Sequence, residues 1–117
     1  MVEIIPVINS TSWEDVISKI RKVESCANWV HIDVTDGVFS KHPTWHNPED
    51  LNNLKTPLAV EVHLMIVAPK RTLNKWLILP VKRVIVHQEA VTDMEFIIQK
   101  CHEKGIELGL AVNPETP

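Results

Sequence analysis

The sequence predicts an α/β fold of the (β/α)8, or TIM-barrel, type, present as an incomplete barrel with about five parallel strands and four helices. Short apolar runs alternate with helical patterns along all 117 residues. Strands separated by helices need crossover connections, which make the sheet parallel. A closed barrel takes about 250 residues. We therefore expect residues 1–117 to form one domain, the N-terminal portion of a barrel.

The first unit consists of a strand and an amphipathic helix. Residues 3–9 are predicted to form the first strand. Thr11 and Glu14 have the spacing of a capping box at the start of a helix. Apolar residues then recur at intervals of three and four over residues 13–23, which gives one apolar helix face.

The second and third units follow the same order. Residues 29–34 are predicted to form the second strand, and a short helix is predicted after Asn47, with Pro48 at its first position. Residues 58–66 are predicted to form the third strand. The third helix is predicted to begin at Pro69 and to end before Pro80.

The last units are a strand, a helix and a further strand. Residues 82–88 and 107–112 are predicted to form the fourth and fifth strands. Thr92 and Glu95 predict a capped helix between them, which stops at Gly105.

Two architectures fit this order, an open doubly wound sheet and a barrel wall. The second strand has two different faces: Val30, Ile32 and Val34 on one side, and Trp29, His31 and Asp33 on the other. An apolar face toward helices and a mixed polar face are typical of a barrel wall with its polar side inward. The strand-one region also lacks the glycine pattern of dinucleotide-binding sheets. These observations favour the barrel.

Composition excludes several classes of function. The 12 basic and 15 acidic residues give a formal charge of −3, so we expect no nucleic-acid partner. The apolar runs are too short to span a bilayer, and the N-terminus does not resemble a secretion signal. Cys26 and Cys101 are predicted to be free, buried thiols in helices of a cytoplasmic protein. Five strands would leave uncovered edges, so we expect a homo-oligomer.

Three polar side chains predict a metal site. His31 and Asp33 are two residues apart and share one face of their strand, and His63 occupies a similar depth on the next strand. Neighbouring strands lie about 4.8 Å apart, so the three groups can converge on one ion. Two imidazoles and a carboxylate suit a divalent ion such as Zn, Fe or Mn.

Several segments together resemble the ribulose-phosphate 3-epimerase family. Residues 30–39 read Val-His-Ile-Asp-Val-Thr-Asp-Gly-Val-Phe and are followed by Thr44-Trp45. Residues 61–65 read Glu-Val-His-Leu-Met, and residues 86–90 and 110–117 are similar to the family's fourth and fifth strands. Pro6, Ile8 and Ser10 match its first strand. The resemblance covers essentially the whole chain, and the motifs keep their order.

The resemblance implies an isomerase with a ribulose-phosphate-binding barrel. Such a barrel interconverts D-ribulose 5-phosphate and D-xylulose 5-phosphate in the pentose phosphate pathway, by proton abstraction at C3 through an enediolate. It implies that His31, Asp33 and His63 bind the divalent metal and that Asp33 is one of two catalytic acids. It further implies that Ser10, His63 and Met65 contact the small sugar-phosphate substrate.

Departures from the family pattern leave an alternative open. The sequence lacks the later strands that carry the family's second catalytic acid and its phosphate-binding loop. The chain is therefore expected to be incomplete for catalysis, and the alternative is a truncated, non-catalytic barrel remnant that binds metal or a partner chain. Related decarboxylase and synthase barrels are disfavoured because no lysine follows Asp33 at the required spacing. His42 and His46 are expected to be solvated, and His87 to be an inward-facing structural residue.

Overall fold

Five parallel strands form one sheet in the order of the sequence. The computed structural model describes residues 3–39, 41–67 and 69–114. The strands are listed here in chain order: β1 (Val7–Ile8), β2 (Trp29–Thr35), β3 (Ala59–Met65), β4 (Val81–His87) and β5 (Glu107–Ala111). Each pairs in parallel with the next one along the chain. This sequential order is that of a barrel wall, and the incomplete barrel is confirmed.

A helical segment follows each of the first four strands. The α-helices are α1 (Trp13–Val23), α2 (Leu73–Trp76) and α3 (Met94–Glu103). The segment after β2 is a 3-10 helix, Pro48–Asn53, and Pro69–Arg71 forms another just before α2. The side chain of Asn47 caps the first of these, with Pro48 beginning the helix, as predicted. The predicted alternation of strands and helices is therefore confirmed.

The predicted helix caps and strand ends differ from the structure by a few residues. Ser12, not Thr11, caps α1 by accepting a hydrogen bond from the backbone N–H of Asp15. Asp93, not Thr92, caps α3 through the N–H of Phe96. In each case two adjacent residues can both accept such a bond, so spacing alone does not identify the cap. The first strand is limited to Val7–Ile8, and α2 ends at Trp76, well before Pro80.

The hydrophobic core lies between the helices and one face of the sheet. Its strand residues occupy alternate positions, as a strand with two different faces requires. They include Val30, Ile32, Val34, Val60, Val62, Leu64, Val84 and Val86, all at most 1% exposed. Val16 and Ile20 of α1, Leu73 and Trp76 of α2, and Ile97 and Cys101 of α3 cover them. The polar side chains of β2 and β3 therefore lie on the opposite face.

One prediction about the cysteines is wrong. Both thiols are free, but only Cys101 is buried within α3. Cys26 is exposed in the turn that follows α1. The chain leaves the helix after Val23, so the helical periodicity that suggested burial no longer applies at this position. The expected homo-oligomer stays a prediction.

Adjacent isoleucines on α3 provide a test of this core. Ile97 is fully buried and Ile98 is 51% exposed. We expect Ile97→Ala to lower the free energy of unfolding by about 2–5 kcal/mol, because the helix–sheet interface cannot close the cavity completely. Ile98→Ala, the matched control, should lower the free energy of unfolding by less than about 1 kcal/mol. Urea denaturation of the two variants measures both, and equal losses would contradict the placement of α3 on the sheet.

Candidate active site

The candidate site lies on the face of the sheet that does not contact the helices. His31 and Asp33 are alternate residues of β2, so both side chains project to this face. In the register of β2 and β3, His31 is opposite Glu61 and Asp33 is opposite His63. Asp33 and His63 lie in the carboxyl-terminal halves of their strands, the end at which barrel enzymes place their chemistry.

The three predicted ligands converge in the structure. Oδ1 of Asp33 lies 2.7 Å from Nε2 of His31 and 3.3 Å from Nδ1 of His63. One ligand atom from each of the three residues lies within 4.8 Å of the other two. The side chains of all three are 14–19% exposed, so solvent still reaches the site. The arrangement can accommodate one small cation.

A second group of side chains contacts His31 on the side of the ring away from Asp33. Nδ1 of His31 lies 2.5 Å from a carboxylate oxygen of Glu61. The other oxygen of Glu61 accepts a hydrogen bond from Arg83 at 2.7 Å, and Arg83 also binds Glu107 at 2.7 Å. The Arg83 guanidinium lies over the ring of Trp29, 4.3 Å from its centroid. His31 is therefore fixed on both sides, by Asp33 and by Glu61.

The pKa values of these groups follow from their mutual contacts. Burial on its own raises the pKa of Asp33, but hydrogen bonds from His31 and His63 outweigh it and hold that pKa well below its usual range. The bond to Asp33 raises the pKa of His31 against the opposing effect of burial, and Glu61 raises it further. Burial raises the pKa of Glu61, but Arg83 and His31 bring it below the ordinary value. Two carboxylates thus remain ionised beside His31.

The donor set fits a divalent transition metal. Two imidazole nitrogens and a carboxylate oxygen are typical ligands of Zn, Fe and Mn. His31 lies between the carboxylates of Asp33 and Glu61, which raise its pKa, so the position already favours positive charge. Three protein ligands leave coordination positions for a substrate or water.

His87 extends the site onto β4. Its side chain is buried, as the prediction of an inward-facing residue requires, and its Nε2 lies 2.8 Å from Nε2 of His63. The ring of Phe39, from the loop after β2, lies 5.0 Å from that of His87 between centroids. Asp36 holds this loop by accepting bonds from the backbone N–H groups of Phe39 and Val67.

The predicted substrate-contacting residues Met65 and Ser10 lie in different surroundings. Met65 is half-buried and lies two residues beyond His63 on the same face of β3. Ser10 is 4% exposed, and its hydroxyl accepts a hydrogen bond from Lys19 of α1 at 3.0 Å. Its neighbour Asn9, rather than Ser10, reaches Asp33, with 3.4 Å between its Nδ2 and Oδ2 of Asp33. The substrate contacts of Ser10 and Met65 stay predictions.

Sequence reasoning missed part of this network. It did not assign site roles to Asn9, Glu61 or Arg83. The available signal was the two-residue period, because Glu61 precedes His63 by two positions and shares its face. His42 and His46 are exposed in the loop after β2, as predicted.

The site is separate from a cavity at the other end of the strands. That cavity has a volume of about 580 Å³ and is lined by residues 54–59 and by Leu79, Pro80 and Lys82, among others. These residues surround the amino ends of β3 and β4, opposite the ligand cluster. No helix in the described residues is both long enough and apolar enough to cross a membrane.

The family model and the similar proteins found by comparison carry the same name. The model of the family described as "Ribulose-phosphate 3 epimerase family" matches residues 3–117. Ribulose-phosphate 3-epimerase of Chlamydia muridarum is 37% identical over 95 residues, which are 80% of this chain and 41% of the relative. The enzyme of that name from Bacillus subtilis is 32% identical over 120 residues, covering 100% of this chain and 55% of the relative. The chain thus spans about half the length of the curated relatives it matches.

Two glutamates that bind the same arginine test the network behind His31. Glu61 has a side chain 9% exposed, whereas that of Glu107 is 65% exposed. We expect Glu61→Gln to lower the free energy of unfolding by about 1–3 kcal/mol, because a buried charged hydrogen bond to Arg83 and His31 is lost. Glu107→Gln should lower the free energy of unfolding by less than about 1 kcal/mol, because exposed ion pairs contribute little to stability. If chemical denaturation at pH 7 gives the same loss for both, Glu61 does not organise the site.

Proposed function

Because the chain belongs to the ribulose-phosphate 3-epimerase family, we propose that it supplies the metal-binding part of a site that interconverts D-ribulose 5-phosphate and D-xylulose 5-phosphate. The observation that carries this proposal is the convergence of His31, Asp33 and His63 on one point of the inner face. An α-proton beside a ketone is weakly acidic, and its removal leaves an enediolate with negative charge. The site offers both a base and a place for a cation.

His31, Asp33 and His63 would hold the ion, with His31 presenting Nε2 and His63 presenting Nδ1. These are the nitrogens that face Oδ1 of Asp33 in the structure. A bound Zn, Fe or Mn ion would supply the positive charge that stabilises the enediolate oxygens. Glu61 holds His31 by its other nitrogen, so that Nε2 keeps pointing toward Asp33.

Asp33 would take the proton from C3. Its Oδ1 is shared by His31 and His63, while Oδ2 has one long contact, 3.4 Å, to Asn9. The depressed pKa keeps the carboxylate ionised, as proton abstraction requires. Epimerisation then needs a second acid to return a proton from the opposite side of the carbon. The division of roles between the two oxygens lets one residue serve as ligand and base.

Contacts of Ser10, His63 and Met65 with the sugar phosphate belong to this proposal. Met65 supports it by its position beyond His63 on the same face, where an apolar side chain can cover the carbon skeleton. A place in the pentose phosphate pathway, a cytoplasmic location and a homo-oligomeric state are also part of the proposal. The two free thiols, Cys26 and Cys101, favour a reducing compartment.

Metal binding can be tested on the chain itself. We expect one Zn²⁺ to bind per chain, and expect His31→Ala and His63→Ala each to weaken the affinity at least tenfold, because a directly coordinating nitrogen is lost. His102→Ala is the matched control, since His102 is exposed on α3 and should not change the affinity. Titration calorimetry provides the measurement. Unchanged affinity in both site variants would exclude this metal site.

Hydrogen exchange at C3 tests the role of Asp33 independently of the returning acid. In D2O, with metal present at saturation, we expect the C3 proton of D-ribulose 5-phosphate to be replaced by deuterium, as followed by NMR. Asp33→Asn should slow this replacement by about 10²–10⁴-fold, because an amide cannot accept the proton. Glu14→Gln on the exposed side of α1 is the control and should leave the rate unchanged.

Two outcomes would count against catalysis. Equal exchange rates in Asp33→Asn and in the unaltered chain would remove Asp33 from the reaction. Zn²⁺ binding without any exchange would favour the alternative, a barrel segment that binds metal but does not turn over substrate.

A further inference from the structure

The cavity at the amino ends of β3 and β4 takes no part in the proposed reaction. Its volume of about 580 Å³ lies in the range of about 300–1,000 Å³ that is typical of small-molecule sites. One side of it includes residues 54–59, which lead into β3. The other side includes Leu79, Pro80 and Lys82, at the start of β4. We call this cavity the amino-end groove.

Part of the lining of the amino-end groove is apolar. Leu54 and Leu58 line the groove and belong to the buried core. Leu79 lines it as well, but this side chain is 74% exposed. A ligand that covers Leu79 removes apolar surface from water, which favours binding. The groove therefore suits a ligand with an apolar body.

The charged side chains that line the groove are both basic. Lys55 and Lys82 are exposed, and within the described residues neither forms an ion pair. No acidic residue is present in the lining that the structure describes. The chain as a whole has a formal charge of −3, so this local excess of positive charge runs against its average. An anion in the groove would meet two cations and no carboxylate.

The position of Lys82 depends on an irregularity in β4. Val60 of β3 pairs with Val81 of β4. The next residue of β3, Glu61, pairs with Arg83, so Lys82 is an extra residue on β4, as in a β-bulge. In a regular strand, the residue after Val81 would take the inner-face place that Arg83 occupies. The bulge therefore leaves Lys82 exposed at the groove rather than in the polar row of the sheet.

Hydrogen bonds hold the side of the groove that leads into β3. Arg21 of α1 donates from Nη1 to the backbone carbonyl of Lys55, at 2.9 Å. The backbone N–H of Leu58 donates to Oγ1 of Thr56, at 3.2 Å. A hydroxyl that accepts one bond can still donate its own proton, so Thr56 can bond to a ligand oxygen. These bonds order the segment before a ligand arrives, which lowers the entropic cost of binding.

We propose that the amino-end groove binds an organic phosphate monoester, with its apolar body against Leu79 and its phosphate group bound by Lys55 and Lys82. A phosphate monoester carries nearly two negative charges at neutral pH, which matches the two lysines. The hydroxyl of Thr56 would donate to the same group. Binding here uses none of the three candidate metal ligands, so the proposal does not depend on the metal site.

Titration of the chain with 1-naphthyl phosphate tests the proposal, because this probe has both an aromatic body and a phosphate. We expect it to shift the backbone amide signals of Lys55, Leu58 and Lys82 in ¹H–¹⁵N NMR spectra, in a saturable way. Two matched compounds separate the contributions: 1-naphthol lacks the phosphate, and inorganic phosphate lacks the apolar body. Each should bind at least about fivefold more weakly than the probe, because one of the two contacts is missing.

Substitutions at exposed positions locate the binding site without disturbing the core. Lys55→Gln and Lys82→Gln should each weaken binding of 1-naphthyl phosphate about 3–10-fold, because a cation that faces the phosphate is lost. Leu79→Ser should weaken it by a similar factor and leave the binding of inorganic phosphate unchanged. Lys41→Gln is the matched control, since Lys41 is exposed in the loop after β2, and it should bind the probe as the unaltered chain does.

Three results would overturn the proposal. The first is a set of amide shifts that leaves residues 54–59 and 79–82 unchanged. The second is equal affinity for 1-naphthol and 1-naphthyl phosphate, since an apolar surface without a preference for anions would behave in that way. The third is a shift of the groove signals when the chain is diluted without the probe, because a second copy of the chain would then occupy the groove. Loss of Zn²⁺ binding in His31→Ala would alter none of these measurements.

Discussion

The register of the parallel sheet is the constraint on which the site depends. His31, Glu61, Arg83 and Glu107 are register partners across four strands, so they form one polar row on the inner face. Asp33 and His63 are partners in the row above. A shift of one residue would turn each of these side chains toward the helices and put the core valines on the polar face. The apolar face therefore fixes the register, and the register assembles the ligands.

The inner face holds its charges as an ordered chain of contacts. Arg83 lies between Glu61 and Glu107, Glu61 binds His31, and His31 binds Asp33. Partly buried charges are costly unless each has a partner of opposite sign or a hydrogen bond. Along this chain, acidic and basic groups alternate, so each desolvated group has such a partner. The alternation also explains why the pKa values of Asp33 and Glu61 fall despite burial.

The sequence predicted the order of elements and the three ligands, because both follow from local periods. Alternation of apolar residues identified β2 and β3, and the two-residue spacing placed His31 and Asp33 on one face. It did not identify Arg83 as the partner of Glu61, because that pairing depends on the register between β3 and β4, which shifts at Val60/Glu61. Caps were misplaced by one residue where adjacent side chains have similar chemistry. Contacts set by long-range register cannot be read from local patterns.

The three predicted ligands lie on strands, and this placement determines how rigid the site is. His31 and Asp33 lie within β2 and His63 within β3, and both strands are bonded to a neighbour on each side. Side chains on such elements hold their geometry more closely than side chains on loops, and their partners Glu61 and His87 also lie on strands. The segment after β2, by contrast, reaches the site through the ring of Phe39 and is held by Asp36. The sheet thus fixes the positions that a metal would require, and Asp36 ties the connection after β2 to the connection after β3.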